Sequence, residues 1–333
     1  MTLAKVYVAI PLQEAGLKLL RGKVDFGVWE KGGTPPRDEL LRNLRDAEGL
    51  LSGIPVTVDA ELFDAAPKLR VVSNYAVGYD TIDVPEATSR GICVTNTPDV
   101  LTPATADLTF ALILASARRI IEANAFLRSG DWKAWEPELL VGREVAGSTI
   151  GIVGMGNIGQ AVAKRARGFD MKVLYFSHSR QSEAESALDA KQVTLDDLLR
   201  ESDFVSLHCP LTNATRGLIG ERELRLMKKT AILINSARGP IVDEKALYTA
   251  CSEGWIWGAG LDVFTKEPVP LDEPLLKLPN VTTLPHIGSA SRTARDAMAV
   301  RAAENLLAVL QGKRPRDLVN RDVLTLPPLS STL

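Results

Sequence analysis

Three polar residues whose side chains complement one another chemically each follow an apolar run with the composition of a β-strand. They are Arg238, Glu267 and His286. In parallel α/β folds, ligands bind just beyond the carboxyl ends of the strands. A guanidinium can bind a carboxylate through two hydrogen bonds, and an imidazolium can donate a proton to a carbonyl oxygen. The set therefore predicts chemistry on a 2-oxo acid.

Within this set, Glu267 is predicted to orient His286 rather than to act as a nucleophile. A carboxylate beside an imidazole favours the protonated ring and fixes its tautomer. Taken singly, each residue also has a structural explanation, as a surface ion-pair partner, a loop carboxylate or a histidine at a helix start. Their combination with a hydride donor would favour catalysis, because reduction of a carbonyl needs a hydride as well as a proton.

A glycine-rich segment at residues 154–159 could hold such a donor. It follows an apolar run at residues 149–153 and leads into a helical stretch. In this position glycines permit a tight turn and close approach of a pyrophosphate, and the helix N-terminus offers free N–H groups. An ordinary strand-to-helix turn is the alternative. The predicted dinucleotide contacts are Gly154, Met155, Gly156, Asn157, Ile158 and Gly159.

The segment after the next predicted strand bears on the choice of nucleotide. It reads Ser177, His178, Ser179, Arg180, where many NAD-binding proteins carry an acidic residue. A carboxylate would repel a 2′-phosphate, whereas hydroxyls and a guanidinium can bind it. The sequence therefore favours NADP(H). NAD(H) stays possible, because a solvated polar loop tolerates either nucleotide.

Short β-branched runs alternate with helical stretches along the whole chain, which is typical of parallel sheets covered by helices. Strands are predicted in the first part at residues 5–10, 24–29, 48–52, 69–74 and 92–96. Six more are predicted in the second part, at residues 149–153, 172–177, 204–208, 231–235, 258–263 and 281–284. Six strands with intervening helices are the inventory of a doubly wound dinucleotide fold.

Two helical stretches separate and complete these groups of strands. One helix is predicted from Pro103 to about Ser129, and a last one over residues 289–311 returns to the first domain. The fold class is therefore α/β, with two Rossmann-like or flavodoxin-like domains. The predicted substrate domain is discontinuous, residues 1–99 and 288–333, and the dinucleotide domain is continuous, residues 100–287.

Composition excludes several classes of partner. The 333 residues carry 39 Lys+Arg and 41 Asp+Glu, a net charge of −2, so no basic field is available for nucleic acid. The longest apolar stretch is far shorter than a membrane span, and the N-terminus lacks a signal-peptide pattern. Three dispersed cysteines with three histidines predict no metal site. We expect a cytoplasmic protein without metal, membrane or nucleic-acid partners.

Several ordered motifs resemble one family over nearly the whole chain. They are Asn-Tyr-Ala-Val-Gly-Tyr-Asp at residues 74–80, Asn-Thr-Pro-Asp-Val-Leu-Thr at 96–102, the glycine loop, Asn-Ser-Ala-Arg-Gly at 235–239, Gly-Leu-Asp-Val-Phe at 260–264 and Pro-His-Ile-Gly-Ser at 285–289. The chain resembles the D-isomer-specific 2-hydroxyacid dehydrogenases, and among them the glyoxylate/hydroxypyruvate reductases. The resemblance implies reduction of glyoxylate or hydroxypyruvate, to glycolate or D-glycerate, by NAD(P)H.

The resemblance also implies a role for each matching residue. Arg238 looks like the family's substrate-binding arginine and His286 like its proton donor. Glu267 looks like the acidic partner of that histidine. The backbone N–H groups of Val77 and Gly78 look like a second clamp on the substrate carboxylate. The resemblance also implies further cofactor contacts. Ser236 and Ala237 would flank the nicotinamide, Asp262 would hold its carboxamide, and Pro210 would border the adenosine side. The remaining implied contacts are Thr105, Arg238, His286 and Gly288.

The resemblance further implies a homodimer formed through the nucleotide domain. Trp132 and Trp135 could form an exposed arm of that interface or pack within their own subunit. Other reactions of the superfamily fit less well. Formate dehydrogenases pair the histidine with glutamine, whereas this chain has Glu267 at that position. Phosphite dehydrogenases carry a lysine in the loop matching residues 76–78, which read Ala-Val-Gly here. A dehydrogenase for lactate-type acids or for phosphite, and a dinucleotide-binding corepressor, stay as alternatives.

Overall fold

The computed structural model describes residues 2–325, which divide into two compact units. Unit 1 combines residues 2–101 with residues 290–325, and unit 2 is Thr102–Ser289. The first is discontinuous in sequence because the chain leaves it before the second begins and re-enters it at the end. Each unit contains one parallel sheet with helices on its faces. The predicted fold class, two parallel α/β domains, is confirmed.

The strands of the described chain are all parallel to their sheet neighbours. In chain order they are β1 (Lys5–Val8), β2 (Asp25–Val28), β3 (Gly49–Ser52), β4 (Val71–Asn74), β5 (Cys93–Thr95), β6 (Thr149–Val153), β7 (Lys172–Phe176), β8 (Ala190–Gln192), β9 (Phe204–Leu207), β10 (Ile232–Asn235), β11 (Gly258–Leu261) and β12 (Val281–Thr283). Most are a little shorter than predicted.

The helices of the same residues connect these strands. In chain order they are α1 (Glu14–Leu20), α2 (Arg37–Leu44), α3 (Ala60–Ala65), α4 (Val84–Ser89), α5 (Thr102–Ala117), α6 (Ile120–Ser129), α7 (Asn157–Ala166), α8 (Ser182–Leu188), α9 (Leu195–Glu201), α10 (Glu221–Leu226), α11 (Glu244–Ser252) and α12 (Arg292–Leu310). Asp59, Asp83, Thr194, Asp243 and Ser291 accept N-terminal backbone hydrogen bonds of the helices that follow them.

Unit 1 has the strand order β2-β1-β3-β4-β5, which is the flavodoxin-like order. The last helix, α12, packs against α1 and against β3, β4 and β5. A Cβ at Gly16 of α1 would lie 2.8 Å from the carbonyl oxygen of Ala299, so glycine permits the two helix backbones to approach. The hydroxyl of Ser73 donates a hydrogen bond to the carbonyl of Ala302 at 2.8 Å. The C-terminal helix therefore completes the core of unit 1.

Unit 2 has the order β8-β7-β6-β9-β10-β11-β12, the Rossmann order with a seventh strand. The order reverses between β6 and β9, and a crevice for ligands is expected at such a switch point. The sequence analysis predicts six strands here and misses β8. That strand is short, and its residues Ala190, Lys191 and Gln192 lack the β-branched pattern on which the other predictions depend.

The single helix predicted from residue 103 to 129 is wrong. The structure contains two helices, α5 and α6, because Arg119 between them adopts a left-handed backbone with φ 51° and ψ 38°. The Arg119 side chain binds Glu122, with Nη2 2.7 Å from Oε1. Apolar residues continue across the break, so the sequence pattern does not mark it. Helix α5 is packed against α7, β10 and β11, whereas α6 has no buried residue.

Candidate active site

The glycine loop connects β6 to α7. Each of its three glycines can be assessed by what an added Cβ atom would meet. A Cβ at Gly154, where φ is +98°, would lie 2.6 Å from the backbone nitrogen of Cys209. A Cβ at Gly159 would lie 2.2 Å from the Gly154 carbonyl oxygen. At Gly156 a Cβ would meet nothing within 4 Å. The first and third glycines permit close backbone packing, and the second leaves open space.

That open space lies at the N-terminus of α7. Gly156 is the N-cap residue, and as a glycine it has no side chain to cap the helix. The partial positive charge of a helix N-terminus and its N–H groups bind phosphate well. The loop lies at the β6–β9 switch point. The residues present therefore fit the pyrophosphate of a dinucleotide.

His208 and Cys209 follow β9 on the other side of this switch point. The backbone N–H of His208 donates to the Val153 carbonyl at 2.8 Å, and its Nε2 lies 2.8 Å from the hydroxyl of Ser206. Burial lowers the pKa of His208 to about 3 and raises the pKa of the Cys209 thiol to about 11. At neutral pH the imidazole is uncharged and the thiol is protonated. Neither group is suited to donate a proton or attack a substrate.

The loop predicted to face the adenosine ribose follows β7. Arg180 forms an ion pair with Glu185 of α8, with Nη2 2.8 Å from Oε2. Glu185 also accepts a hydrogen bond from the hydroxyl of Tyr175 at 2.7 Å. The sequence analysis missed this carboxylate, although it lies only five residues after the arginine. Arg180 therefore already has a carboxylate partner, which would compete with a 2′-phosphate for its N–H donors.

A cavity of about 340 Å³ adjoins this loop and is lined by Arg180, Glu185, Ala190, Lys191 and Gln192. Its wall carries two cations and one carboxylate, so its net charge is positive. The side-chain amide of Gln192 donates to the carbonyl of Ser177 at 3.1 Å and so connects β8 to the loop. The strand that the sequence analysis missed therefore contributes to the surroundings of the predicted ribose site.

Several residues predicted to surround the nicotinamide lie together in unit 2. The Thr109 hydroxyl donates to the carbonyl of Thr105 at 2.9 Å and lies 2.8 Å from the hydroxyl of Ser236. A Cβ at Gly288 would lie 3.2 Å from Asp262 Oδ2 and 3.4 Å from Thr105 Cγ2. Thr109 was not predicted, although its position four residues after Thr105 puts both on one helix face. Pro210, which was predicted to border the adenosine side instead, is exposed, and its carbonyl accepts a hydrogen bond from the Thr215 hydroxyl.

Asp262 holds the backbone that carries His286. Its carbonyl oxygen accepts from the His286 N–H at 2.8 Å, Oδ1 from the Ile287 N–H at 2.8 Å and Oδ2 from the Gly288 N–H at 2.8 Å. Burial raises the pKa of Asp262, and the two amide hydrogen bonds and the positive charge of His286 oppose that rise. His286 has a left-handed φ of +54°. Three consecutive bonds from one residue therefore stabilise an unfavourable backbone conformation.

Arg238 is placed by the turn after β10. The side chain of Asn235 accepts from the Ala237 N–H at 3.1 Å and donates to the Arg238 carbonyl at 2.9 Å, which closes the turn. The guanidinium donates to the Ala237 carbonyl at 2.8 Å. A Cβ at Gly239 would lie 1.9 Å from the carbonyl carbon of Phe264, so the loops after β10 and β11 are in direct contact.

Glu267 and His286 form a hydrogen-bonded pair. His286 Nδ1 lies 2.6 Å from Glu267 Oε2, and Oε1 accepts from the Phe264 N–H at 2.9 Å. Burial raises the pKa of Glu267, but the His286 hydrogen bond, the charges of His286 and Arg238 and the Phe264 N–H together lower it below the ordinary value. The carboxylate is therefore ionised, and the bond at Nδ1 leaves Nε2 as the ring atom available to a substrate.

The structure thus brings Arg238, Glu267 and His286 to the ends of three neighbouring strands of one sheet, β10, β11 and β12. Val77 and Gly78 belong to unit 1, and their contact with a substrate stays a prediction. Among residues 2–325, no group of three or more His, Cys, Asp or Glu side chains could hold a metal ion. No helix of those residues is long and apolar enough to cross a bilayer.

Comparison with known proteins identifies the family. Residues 110–288 match the NAD binding domain of the D-isomer specific 2-hydroxyacid dehydrogenases. The chain belongs to this family. It is 55% identical over 324 residues to the glyoxylate reductase of Thermococcus kodakarensis, covering 96% of this chain and 97% of that protein. The family resemblance found in the sequence is therefore confirmed.

Solved structures resemble the chain in fold as well as in sequence. A protein from Thermus thermophilus superimposes with a TM-score of 0.89 at 48% identity, covering 95% of this chain and 99% of that chain. An NADPH-dependent glyoxylate/hydroxypyruvate reductase from Sinorhizobium meliloti, solved with NADP and malonate, superimposes with a TM-score of 0.84 at 33% identity, covering 97% and 98% of the two chains. This dehydrogenase therefore shares fold and sequence with reductases of small 2-oxo acids.

Proposed function

We propose that this dehydrogenase reduces glyoxylate to glycolate, and hydroxypyruvate to D-glycerate, with a reduced nicotinamide dinucleotide. The observation that carries the proposal is the 2.6 Å contact between Glu267 and His286, beside Arg238 and in the same sheet as the glycine loop. Relatives about half identical over nearly the whole chain are named glyoxylate reductase, including those of Thermococcus kodakarensis and Thermococcus litoralis.

Each residue of the site has a defined part in this reaction. The Arg238 guanidinium binds the substrate carboxylate through two parallel hydrogen bonds. His286 donates the proton on Nε2 to the carbonyl oxygen, while Glu267 accepts from Nδ1 and stays ionised. A reduced nicotinamide dinucleotide, with its pyrophosphate at the glycine loop, would supply the hydride to the carbonyl carbon. The C=O group gains one hydride and one proton and becomes an alcohol, and His286 is left neutral until it is reprotonated from water.

We assign a second contact with the substrate carboxylate to the backbone N–H groups of Val77 and Gly78. Neither N–H donates a hydrogen bond within residues 2–325, and both residues are partly exposed. Neighbouring backbone amides without internal acceptors can bind an anion. The family resemblance implies the same assignment.

NADP(H) is the proposed cofactor, with NAD(H) as the alternative. Residues 177–180 contain two serines and an arginine and no carboxylate, which suits a 2′-phosphate. The Sinorhizobium meliloti relative is an NADPH-dependent enzyme. The ion pair between Arg180 and Glu185 reduces the expected preference, because the Glu185 carboxylate competes with the phosphate for the guanidinium.

We also propose a homodimer formed through unit 2. Helix α6 and the segment after it expose large apolar side chains, namely Ile121, Leu127, Trp132 and Trp135, and Trp135 is 78% exposed. Clustered apolar surface of this kind marks a protein interface. Trp132 is 52% exposed, so both tryptophans present at least half of their surface to solvent. Light scattering coupled to gel filtration tests the proposal, and a monomeric mass over a range of concentrations would contradict it.

Initial rates test the proposed reaction. Purified protein is mixed with NADPH or NADH and with glyoxylate, hydroxypyruvate or pyruvate, and nucleotide oxidation is followed. We expect faster turnover with glyoxylate and hydroxypyruvate than with pyruvate. Faster turnover of pyruvate would favour a lactate-type dehydrogenase. Nucleotide binding without turnover of any 2-oxo acid would favour a corepressor-like role.

A further inference from the structure

The loop after β4, residues 76–79, has its carbonyl groups held by asparagine side chains of unit 1. The Asn96 amide donates to the carbonyl of Val77 at 2.8 Å. The Asn74 amide donates to the carbonyl of Gly78 at 2.7 Å. Asn74 is fully buried and Asn96 is partly buried, so both bonds are sheltered from water. Two consecutive peptide planes of the loop therefore have a fixed orientation.

The fixed carbonyls determine where the loop's N–H groups point. In a planar trans peptide the N–H is directed opposite to the C=O, and these peptide bonds are trans. The peptide that carries the Val77 carbonyl also carries the Gly78 N–H, so the bond from Asn96 turns that N–H away from Asn96. The preceding peptide behaves in the same way, because the Ala76 carbonyl accepts from the Thr97 N–H at 2.9 Å.

Two adjacent N–H groups consequently face one side of the loop. Residues 96 and 97 are neighbours and hold the two carbonyls, so the N–H groups of Val77 and Gly78 both point away from that segment. Asn96 is itself fixed by its backbone, whose N–H donates to the Asp317 carbonyl at 3.3 Å and whose carbonyl accepts from Asn305 at 3.1 Å. A rigid support of this kind lowers the cost of orienting a binding group.

We propose that Asn96 is a positioning residue for substrate binding: by holding the Val77 carbonyl it aims the Gly78 N–H at the substrate carboxylate. The proposal rests on the proposed function, in which the amides of Val77 and Gly78 bind that carboxylate. Asn96 does not touch the substrate. Its effect is confined to the affinity for the carboxylate, since the glycine loop and the Glu267–His286 pair lie in unit 2.

The test removes the side-chain donor without adding charge. In Asn96→Ala the Val77 carbonyl loses its partner and the peptide is free to rotate. We expect the KM for glyoxylate and the inhibition constant of oxamate, a small carboxylate analogue, to rise about tenfold. The reason is that the Gly78 N–H is no longer held in the direction of the ligand's carboxylate, so its hydrogen bond to that charged group is lost. The kcat should fall much less, and the dissociation constant of NADPH should stay within about twofold of wild type. Asn96→Ser serves as a second variant if Asn96→Ala does not fold.

Asn320 offers a matched control in the same unit. Its amide donates to the Ile92 carbonyl at 2.8 Å and its Oδ1 accepts from the Val94 N–H at 2.8 Å, with no hydrogen bond to residues 76–79. Asn320→Ala should lower the melting temperature and leave the KM and the oxamate constant unchanged. A melting curve for each variant separates loss of stability from loss of affinity.

The outcomes distinguish this proposal from the proposed function. An active wild-type enzyme whose Asn96 variants keep the KM and the oxamate constant within about twofold would overturn the positioning role alone. Equal increases in the Asn96 and Asn320 variants would also overturn it, because they would show general loosening of unit 1. A wild-type protein that neither reduces glyoxylate nor binds oxamate would overturn the proposed function and this role with it.

Discussion

Glu267 Oε2 lies 2.6 Å from His286 Nδ1, while the other oxygen of the same carboxylate accepts from the Phe264 N–H at 2.9 Å. One carboxylate therefore fixes both the tautomer of the imidazole and the backbone after β11. The bond from Phe264 fixes the direction of the carboxylate, and the carboxylate in turn orients the imidazole ring. This geometry is the basis of the first two predictions below.

His286→Ala should remove most of the reductive turnover. Loss of a positioned general acid typically costs about 10²- to 10⁴-fold in rate, so kcat should fall by that order. The dissociation constant of NADPH, measured by fluorescence titration, should change by less than about threefold, because the glycine loop is untouched. An unchanged kcat would refute the role of proton donor.

Glu267→Gln should lower kcat by about tenfold or more and change the pH profile. Glutamine keeps the acceptor for the Phe264 N–H but loses the negative charge that favours an imidazolium. The decline of the reductive rate towards high pH should therefore begin at a lower pH than in wild type. Rates measured from pH 5 to pH 10 for both proteins check this, and superimposable profiles would show that the carboxylate charge has no part in catalysis.

The same substitution should have a pH-dependent effect on stability. The folded-state pKa of Glu267 is below its ordinary value, which is about 4.3 in an unfolded chain. Such a group stabilises the fold above the unfolded value, and the contribution is lost as the pH falls through the folded value. The unfolding free energy of wild type should therefore exceed that of Glu267→Gln by a larger amount at pH 7 than at pH 3. A difference that grows towards acid pH would contradict the assigned direction.

Arg238→Lys should raise the KM for glyoxylate by about tenfold or more. A lysine ammonium keeps the charge but cannot form the two parallel bonds of a guanidinium with a carboxylate. Arg200→Lys is a matched control, because Arg200 is an exposed arginine of unit 2 paired with Asp196 and Asp197. The control should behave as wild type. Equal KM values in the two variants would remove Arg238 from substrate binding.

Variants of the Arg180–Glu185 pair should shift the nucleotide preference in opposite directions. Arg180→Ala should raise the KM for NADPH about fivefold while leaving that for NADH nearly unchanged, since only NADPH carries the 2′-phosphate. Glu185→Gln removes the competing charge but keeps an acceptor for Tyr175, so the KM for NADPH should fall. Equal effects on both nucleotides would show that the loop does not contact the phosphate.

The sequence alone determined the fold class and the position of the chemistry. Hydrophobic periodicity and glycine or proline signals are local, so they placed most strands, the glycine loop at residues 154–159, and Arg238, Glu267 and His286 beyond strand ends. In a parallel sheet the carboxyl ends of neighbouring strands meet at one edge. The order of motifs along the chain was therefore sufficient to predict a dinucleotide-dependent dehydrogenase.

Only the tertiary structure decided which side chains hold these residues in place. The sequence analysis missed two features of the backbone, the break at Arg119 and the short strand β8. It also missed three sets of side-chain interactions: the ion pair of Arg180 with Glu185, the bonds of Asp262 with three successive amides, and the hydrogen bond from Asn96 to the Val77 carbonyl. Each depends on a backbone angle or a hydrogen bond between residues that have no shared pattern in sequence. Hydrogen-bond geometry of this kind is set by packing, which local composition does not encode.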